Sequence, residues 1–491
     1  MGQEICKAYL RPVGQGCFYT ATIFHNPDAP FQLVYDCGSL TGKGCLEPQI
    51  SEFRRHVVGD RRTIDMLVIS HLDADHVNGL KELMKGLITK HVFLPYFTPI
   101  ERLLCALRFL GDADESYFDF LSDPAKFLIN NGAETVVYVT NGDRPDGSEA
   151  GNASDGSPPQ PAIDDKSQLP LDVITVDIKD IDKDEYPEIA EEYERLKKEQ
   201  NTKKQKAQVK TMVDSVPAKL SGFWRFKFFH KNPTFSKDLR RLKGFISKGG
   251  CRPSNEDKMT FDFLKKVQAV VKGVPVKGKP VTGGLEAKDI VDVIQSAGTK
   301  PKGGKPKEPP KSKTLTQLAQ LKEHYKLVDS KHNDVSLVLW HGPVLHNENN
   351  QNKIDGFPVC WQRHRSYFCA CRVTDCERSE GAAGTLLTGD LTLLDLGPVK
   401  NTVSEFKKHF AGEITETAFF YVPHHGSHNS WNYRDAIFLD APNPWFMTSA
   451  GTQNQWKHPH QDVVKDHCAA GRPIFWSNED IGVILRTFKL T

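Results

Sequence analysis

The stretch Val68–Leu80, VISHLDADHVNGL, places two carboxylates, Asp73 and Asp75, and two imidazoles, His71 and His76, within six residues, directly after an apolar run. At the end of a strand, four such groups repel or compete for water unless something positive joins them. Burying an unpaired carboxylate costs on the order of several kcal/mol, and a divalent cation removes that cost. Alternate residues of an extended segment share a face, so His71, Asp73 and Asp75 point one way. His76 then turns in as the helix beginning VNGLKEL starts. Imidazole nitrogen and carboxylate oxygen suit Zn²⁺, and the carboxylate share also admits Mn²⁺. The spacing suits ligands for two adjacent ions. A blander reading competes: an Asp-rich turn before a helix is often a capping loop, with Asp75 capping Asn78 and Gly79.

The surrounding chain has 491 residues and a formal net charge of +2. That length leaves room for a large core and roughly two or three domains. Near-neutral charge demands no polyanionic partner for the molecule as a whole. No apolar run is long enough to span a bilayer, and the start MGQEICKAYL lacks the apolar core of a signal peptide. Cys6 stands where a myristoylation motif wants Ser or Thr. Eleven cysteines in so long a chain make no dense disulfide framework, and Cys17, Cys37 and Cys468 sit in apolar contexts. A reducing cytoplasm is the expected compartment.

Three zones separate by texture. Up to about residue 140 the sequence reads as α/β: FYTATIF and FQLVYDCG as a hairpin, IDMLVIS as a buried strand, GLKELMKGL as a short amphipathic helix, HVFLPYF and ETVVYVT as further strands. NGDRPDGSEAGNASDGSPPQPAIDDKS has almost no apolar anchor and reads as a loop or linker. In the middle zone, residues 184–213 read as a charged helix, FWRFKFFHKN as a strand, and the Lys, Gly and Pro tract near Lys300 as disordered. From about Asn333 the compact texture returns. VSLVLWH, GTLLTGD, AFFYVPHHG, PWFMTSAG and GVILRTF are strand-like, with helical patterns in TVSEFKKHFAGEI and HQDVVKDHCAAG. The simplest architecture is one α/β core built from residues 1–140 and 326–491, with residues 141–325 as a partly disordered, Lys-rich insertion.

His-X-Asp-X-Asp-His after a strand resembles the signature of the metallo-β-lactamase superfamily, usually His-X-His-X-Asp-His, with Asp73 replacing the second His. YDCG carries Asp36, matching the buried Asp that steadies the metal loop. LLTGD ends in Asp390, matching the carboxylate that bridges both metals, and VPHHGSHNS carries His424 and His425, matching the last ligand region. HNDVSLVL, TGD, PHHGS and KHPH together look most like the soluble hydrolase domain of ComEC-type competence proteins, without its membrane-channel part. The resemblance covers roughly residues 5–140 and 330–490. It implies a four-layer αββα sandwich with a large inserted segment.

The same resemblance implies a metal-dependent hydrolase holding one or two Zn²⁺ or Mn²⁺ ions. His71 and Asp73 hold one ion, Asp75, His76 and His425 the other, and Asp390 bridges. The third family motif, normally a His near the SLVL strand, here reads His332-Asn333-Asp334. The first site is therefore expected to be weak, empty or filled by Mn²⁺, and Asp334 is not taken as a ligand. Strand spacing puts His424 and His425 on opposite faces unless a turn intervenes. His424 is then a substrate-oxygen contact or a support for a ligand, and the two assignments can be exchanged. His458, before a helix start at Pro459, contacts the scissile phosphate, protonates a leaving group, or caps the helix. Asp75 is a ligand with spare lone pairs for a proton.

Cys360, Cys369, Cys371 and Cys376 in CWQRHRSYFCACRVTDCER allow a zinc knuckle, but Cys-X-Cys-X4-Cys departs from paired CxxC spacing. A hairpin between the SLVL and LLTGD strands is the better reading. The basic middle zone is either a nucleic-acid or protein-partner surface or simply solvated helix and linker. For function, the resemblance favours hydrolysis of a phosphodiester in nucleic acid or a nucleotide. The alternatives are hydrolysis of a small ester, lactone or thioester, and a non-enzymatic scaffold that binds nucleic acid or a partner.

Overall fold

The computed structural model describes residues 3–97, 113–140, 336–344, 382–394, 402–433 and 444–489, most of 207–231, and the backbone of 354–362. It also describes scattered residues between 101 and 109 and between 174 and 198. In chain order the strands begin with β1 (Gln3–Leu10), β2 (Tyr19–Ile23), β3 (Phe31–Tyr35), β4 (Thr63–Val68), β5 (Ile88–Pro95) and β6 (Ala133–Thr140). Next come β7 (Ile174–Thr175), β8 (Gln208–Val213), β9 (Ala218–Leu220), β10 (Trp224–Phe229), β11 (Val338–Pro343) and β12 (Ile354–Gln362). β13 (Gly384–Leu387), β14 (Thr417–Tyr421), β15 (Trp445–Ser449), β16 (Ile474–Ser477) and β17 (Ile481–Lys489) complete them. The helices that matter below are α1 (Lys43–Glu52), α2 (Ala74–Val77), α3 (Leu80–Met84), α4 (Glu115–Ser122), α5 (Pro124–Asn130), α6 (Thr402–His409), α7 (Ala411–Thr415) and α8 (Gln461–Ala469).

One sheet has nine strands in the order β12-β17-β1-β2-β3-β4-β5-β6-β8, the other eight in the order β16-β15-β14-β13-β11-β10-β9-β7. Both are mixed: β2 and β3 form the expected antiparallel hairpin, while β3 to β6 run parallel, as do β13 to β16. The fold is mixed α/β. Side-chain alternation along the strands builds its cores. In β4, Leu67 joins a cluster with α1 and α3 to α5, while its neighbours Met66 and Val68 face a second cluster. That second cluster takes Trp224, Phe226 and Phe228 from β10, so it lies between the sheets. In β14, Phe419 faces the same layer and Phe420 a third, with Phe406 of α6 and Val463 of α8.

The ends of the chain meet in one sheet. β1 pairs antiparallel with β17 from Gln3↔Lys489 to Leu10↔Val483.

One expectation needs correction. Within the segment 141–325, Gln208–Val213, read as part of a charged helix, is strand β8 and extends the parallel run beside β6, while Trp224–Phe229, read as a strand, is β10 and pairs with β11. The charged pattern over 184–213 hid QVKTMV, whose Val209 and Met212 are buried. The basic residues of β10 are engaged within the fold, Arg225 with Glu416 at 2.8 Å and Lys227 with Glu413 at 3.0 Å. β11 and β13 pair directly, and the backbone of Ile354–Gln362 is β12, at the rim of the other sheet beside β17. The hairpin expected over residues 360–378 lies, beyond Gln362, outside the described residues. Cys369, Cys371, Cys376, the side chain of Cys360 and the Lys-rich tract near Lys300 lie outside the described residues. Cys17 and Cys37 are buried free thiols, whereas Cys468 is exposed. Among the described residues no helix is long and apolar enough to cross a membrane.

β11 carries His341 into the layer between the sheets. Its Nδ1 accepts from Trp224 Nε1 at 3.3 Å, and its Nε2 faces the Tyr19 hydroxyl at 2.9 Å. Burial pushes its pKa down to about 3, whereas an unfolded histidine titrates near about 6.5. The folded form thus binds fewer protons, so the stability tied to a neutral His341 is complete above roughly pH 6.5 and lost as pH falls towards the folded pKa. Urea midpoints should drop between pH 7 and pH 4, and a His341→Gln chain should show a shallower drop.

Candidate metal centre

The centre is built from loops that leave the carboxyl ends of β3, β4, β13, β14 and β15. Asp36, just after β3, has φ 57°, a left-handed conformation that Asp tolerates better than most residues. Fully buried, it accepts from the Ser70 amide at 2.7 Å and from the Ser70 hydroxyl at 2.6 Å. It also takes His76 Nδ1 at 2.8 Å. With its hydroxyl proton given to Asp36, Ser70 Oγ accepts from His71 Nδ1 at 2.9 Å. One carboxylate thus anchors two imidazoles through Nδ1 and turns both Nε2 atoms to the centre. Burial opposes a proton on His76, but Asp36, Asp390 and Asp75 raise its pKa well above the usual histidine value, so a metal ion would bind there in exchange for that proton.

His425 reaches the same state by another route. Its Nδ1 donates to the Ser449 carbonyl at 2.7 Å. His424 Nδ1 lies 2.9 Å from Ser430 Oγ. Both histidines have positive φ, 50° and 55°, so a turn does intervene and two adjacent imidazoles face one place.

That place is Asp390. Its Oδ2 lies 3.7 Å from His71 Nε2 and 3.6 Å from His424 Nε2, while its Oδ1 lies 3.4 Å from His76 Nε2 and 3.7 Å from His425 Nε2. Asp73 Oδ2 is 3.7 Å from His71 Nε2, and Asp75 Oδ2 is 3.4 Å from His425 Nε2. The capping alternative for Asp75 is not what forms: its carboxylate faces His425, and the amides of Asn78 and Gly79 donate to the carbonyls of Ala74 and Cys37.

Nε2 of His71, His76 and His425 and Oδ1 of Asp390 are buried with no hydrogen-bond partner. Each such atom costs roughly 1–3 kcal/mol, and here they converge across gaps too wide for a good hydrogen bond. Two buried triads, His71–His76–Asp390 and Asp75–His76–His425, have donor atoms within 4.8 Å of one another and can hold a metal ion. A third group, Cys17–Asp36–His76, lies behind them, but the hydrogen bond between Asp36 and His76 makes it a support.

Charge suits a cation. Burial would raise the Asp390 carboxyl, but His424, His425, His76 and His71 hold it well below the usual carboxylate range. Burial opposes ionisation of Asp75 too, and His76 and His425 overcome it. Burial, aided by His76, pushes His71 down to about 3, which keeps it neutral with a lone pair to give.

His458 lies at the rim, its ring centroid 5.3 Å from that of His424 and 6.2 Å from that of His425. Burial and then His425 and His424 push its pKa down to about 2, so it stands neutral. It does not cap α8, whose preceding residue is His460. Asn454 holds its backbone from both sides, at 2.6 Å and 2.8 Å. The His332-Asn333-Asp334 segment lies outside the described residues, but Ser336 just beyond it hydrogen-bonds the Asp390 amide at 3.1 Å.

Ser70, Ser336 and the Ser449 carbonyl are supports that sequence reasoning missed. Ser70 had a signal, since it directly precedes the metal stretch; a backbone carbonyl has none. Gly38 was missed as well. A Cβ there would lie 2.4 Å from the Asp75 carbonyl carbon and 2.5 Å from the His76 amide nitrogen. Gly38→Ala should therefore push the ligand turn outward, with at least about tenfold weaker metal binding in a competition titration and a lowered thermal midpoint.

No protein-family model and no curated protein matches this chain.

Proposed function

We propose that this chain is a metal-dependent hydrolase with the four-layer metallo-β-lactamase sandwich, acting on a phosphodiester in nucleic acid or a nucleotide. The carrying observation is the divided Asp390 carboxylate, one oxygen towards His71 and His424 and the other towards His76 and His425. In favour of the sandwich stand two sheets facing one apolar layer, each with helices on its other face.

His71, Asp73, His424 and Asp390 would hold one ion, and Asp75, His76, His425 and Asp390 a second, as Zn²⁺ or Mn²⁺. When bound, such ions supply a Lewis acid for a substrate oxygen and lower the pKa of a water. The chain's residues hold and orient. Asp36 keeps His76 and, through Ser70, His71 in the ligating tautomer. Asp75 stays ionised, which makes it a strong ligand and a weak proton acceptor. His458, neutral at the rim, suits a hydrogen bond to a phosphoryl oxygen better than delivery of a proton as imidazolium.

The phosphodiester rests on the likeness of HNDVSLVL, TGD, PHHGS and KHPH to ComEC-type hydrolase domains, and one fold carries many chemistries. Metal analysis of the purified chain, followed by DNA, RNA and dinucleotide substrates with added Mn²⁺ or Zn²⁺, tests it. Cleavage is expected, and its loss in an Asp75→Ala, His76→Ala chain. Turnover of lactones or thioesters with none of nucleic acid would replace this reading. Nucleic-acid binding that survives the double substitution, with no turnover of any substrate, would make the chain a binding protein.

A further inference from the structure

A cleft of about 780 Å³ opens between the Ser39–Lys43 segment and the Gln453–Trp456 loop. That volume is within the roughly 300–1,000 Å³ of small-molecule sites. It adjoins the metal centre through Asn454, which lines it and also grips the backbone of His458. Its walls are tied together. Thr41 Oγ1 accepts from the Gln15 amide at 2.7 Å, Ser39 Oγ donates to the Val13 carbonyl at 2.6 Å, and Glu479 takes the Thr452 amide at 2.9 Å.

We propose that this cleft is a nucleobase subsite, with Trp456 as its stacking face and Gln15 as its hydrogen-bonding reader. The inference rests on the phosphodiesterase reading and specifies its substrate. Trp456 is one of three exposed large apolar side chains among the described residues, at 38%, and it lies on the cleft wall. An indole left in water next to a cleft is costly unless a ring covers it, and stacking a base on an aromatic is worth roughly 1–3 kcal/mol.

Gln15 is only 4% exposed, and its Oε1 is buried without a hydrogen-bond partner. An orphaned amide oxygen calls for an N–H donor, which the edge of a base supplies and a bare sugar phosphate does not. Gln453 and Gln455 add further amides to the lining.

The acids of the lining are engaged: Glu479 with Thr452, Asp114 with the Tyr117 amide and with Lys43 at 3.8 Å. α1 also starts here, with open space beside Gly42. Its positive end suits a flanking phosphate of the same strand.

Calorimetric titration of the full chain with adenosine monophosphate and with ribose 5-phosphate tests the subsite. The nucleotide should bind at least tenfold more tightly than the sugar phosphate. Trp456→Ala and Gln15→Leu should each remove most of that ratio, and Trp476→Ala, at the other exposed indole, should leave it intact. Equal affinity for the two ligands, no binding of either, or a ratio untouched by Trp456→Ala would overturn the subsite. Both ligands carry the phosphate, so the ratio reads the base alone. Cleavage of phosphodiesters reads the proposed activity, and either can fail without the other.

Discussion

An Asp390→Ala chain is expected to keep its fold and lose turnover by at least about 10³-fold, with bound metal at least halved. The magnitude follows from losing a charged group at the reacting centre, where a single stabilising donor is already worth roughly 10²–10³. The side chain supports no strand or helix; the Asp390 backbone, through its amide to Ser336, holds the loop instead. Four imidazole Nε2 atoms lie within 3.4–3.7 Å of its two oxygens. Removing it therefore opens both halves of the centre together. Metal content by elemental analysis and turnover at saturating metal are the readouts, with far-UV circular dichroism as the check on folding. Full metal occupancy in the variant would refute the shared-ligand geometry.

The second large effect separates two roles of Asp36. Asp36→Ala leaves the Ser70 amide and His76 Nδ1 unanswered in the core, and should destabilise by roughly 3–5 kcal/mol. Asp36→Asn should behave differently. Asn tolerates the left-handed backbone at φ 57° and still offers an oxygen to the Ser70 amide. Its NH₂ would face His76 Nδ1, however, forcing the proton to Nε2 and closing that lone pair to a metal. The Asn chain should keep most of its stability by urea unfolding and bind metal roughly 10–100-fold more weakly. Equal metal affinity for Asn and Asp would mean that His76 is not held by its tautomer.

Much of this was legible in the residues, for local reasons. IDMLVIS, ETVVYVT and PWFMTSAG are apolar runs ended by polar or glycine turns, and each is a strand. The six-residue crowd from His71 to His76 left a cation site and a capping loop as its two readings, and the distant carboxylate of Asp390 does lie against it. What escaped was non-local. The partners of Lys227 and Arg225 were not legible, because nothing in their neighbourhood announces Glu413 and Glu416, far along the chain. β12 gave no sign of its partner either, since β17 lies more than a hundred residues further along the chain. His424 and His425 were placed on opposite faces because a strand alternates; two positive φ angles in succession instead bring both imidazoles to Asp390.

The pairing of β1 with β17 carries a consequence for biosynthesis. As the nascent chain leaves the ribosome, the β1 edge that will receive β17 stays naked until Ile481 and its neighbours emerge. At roughly 5–20 residues per second that interval is on the order of half a minute to a minute and a half. An open edge of that duration is a template for aggregation. His425 and the Ser449 carbonyl that orients it also emerge long after the His71–His76 turn, so the two halves of the centre are synthesised far apart in time.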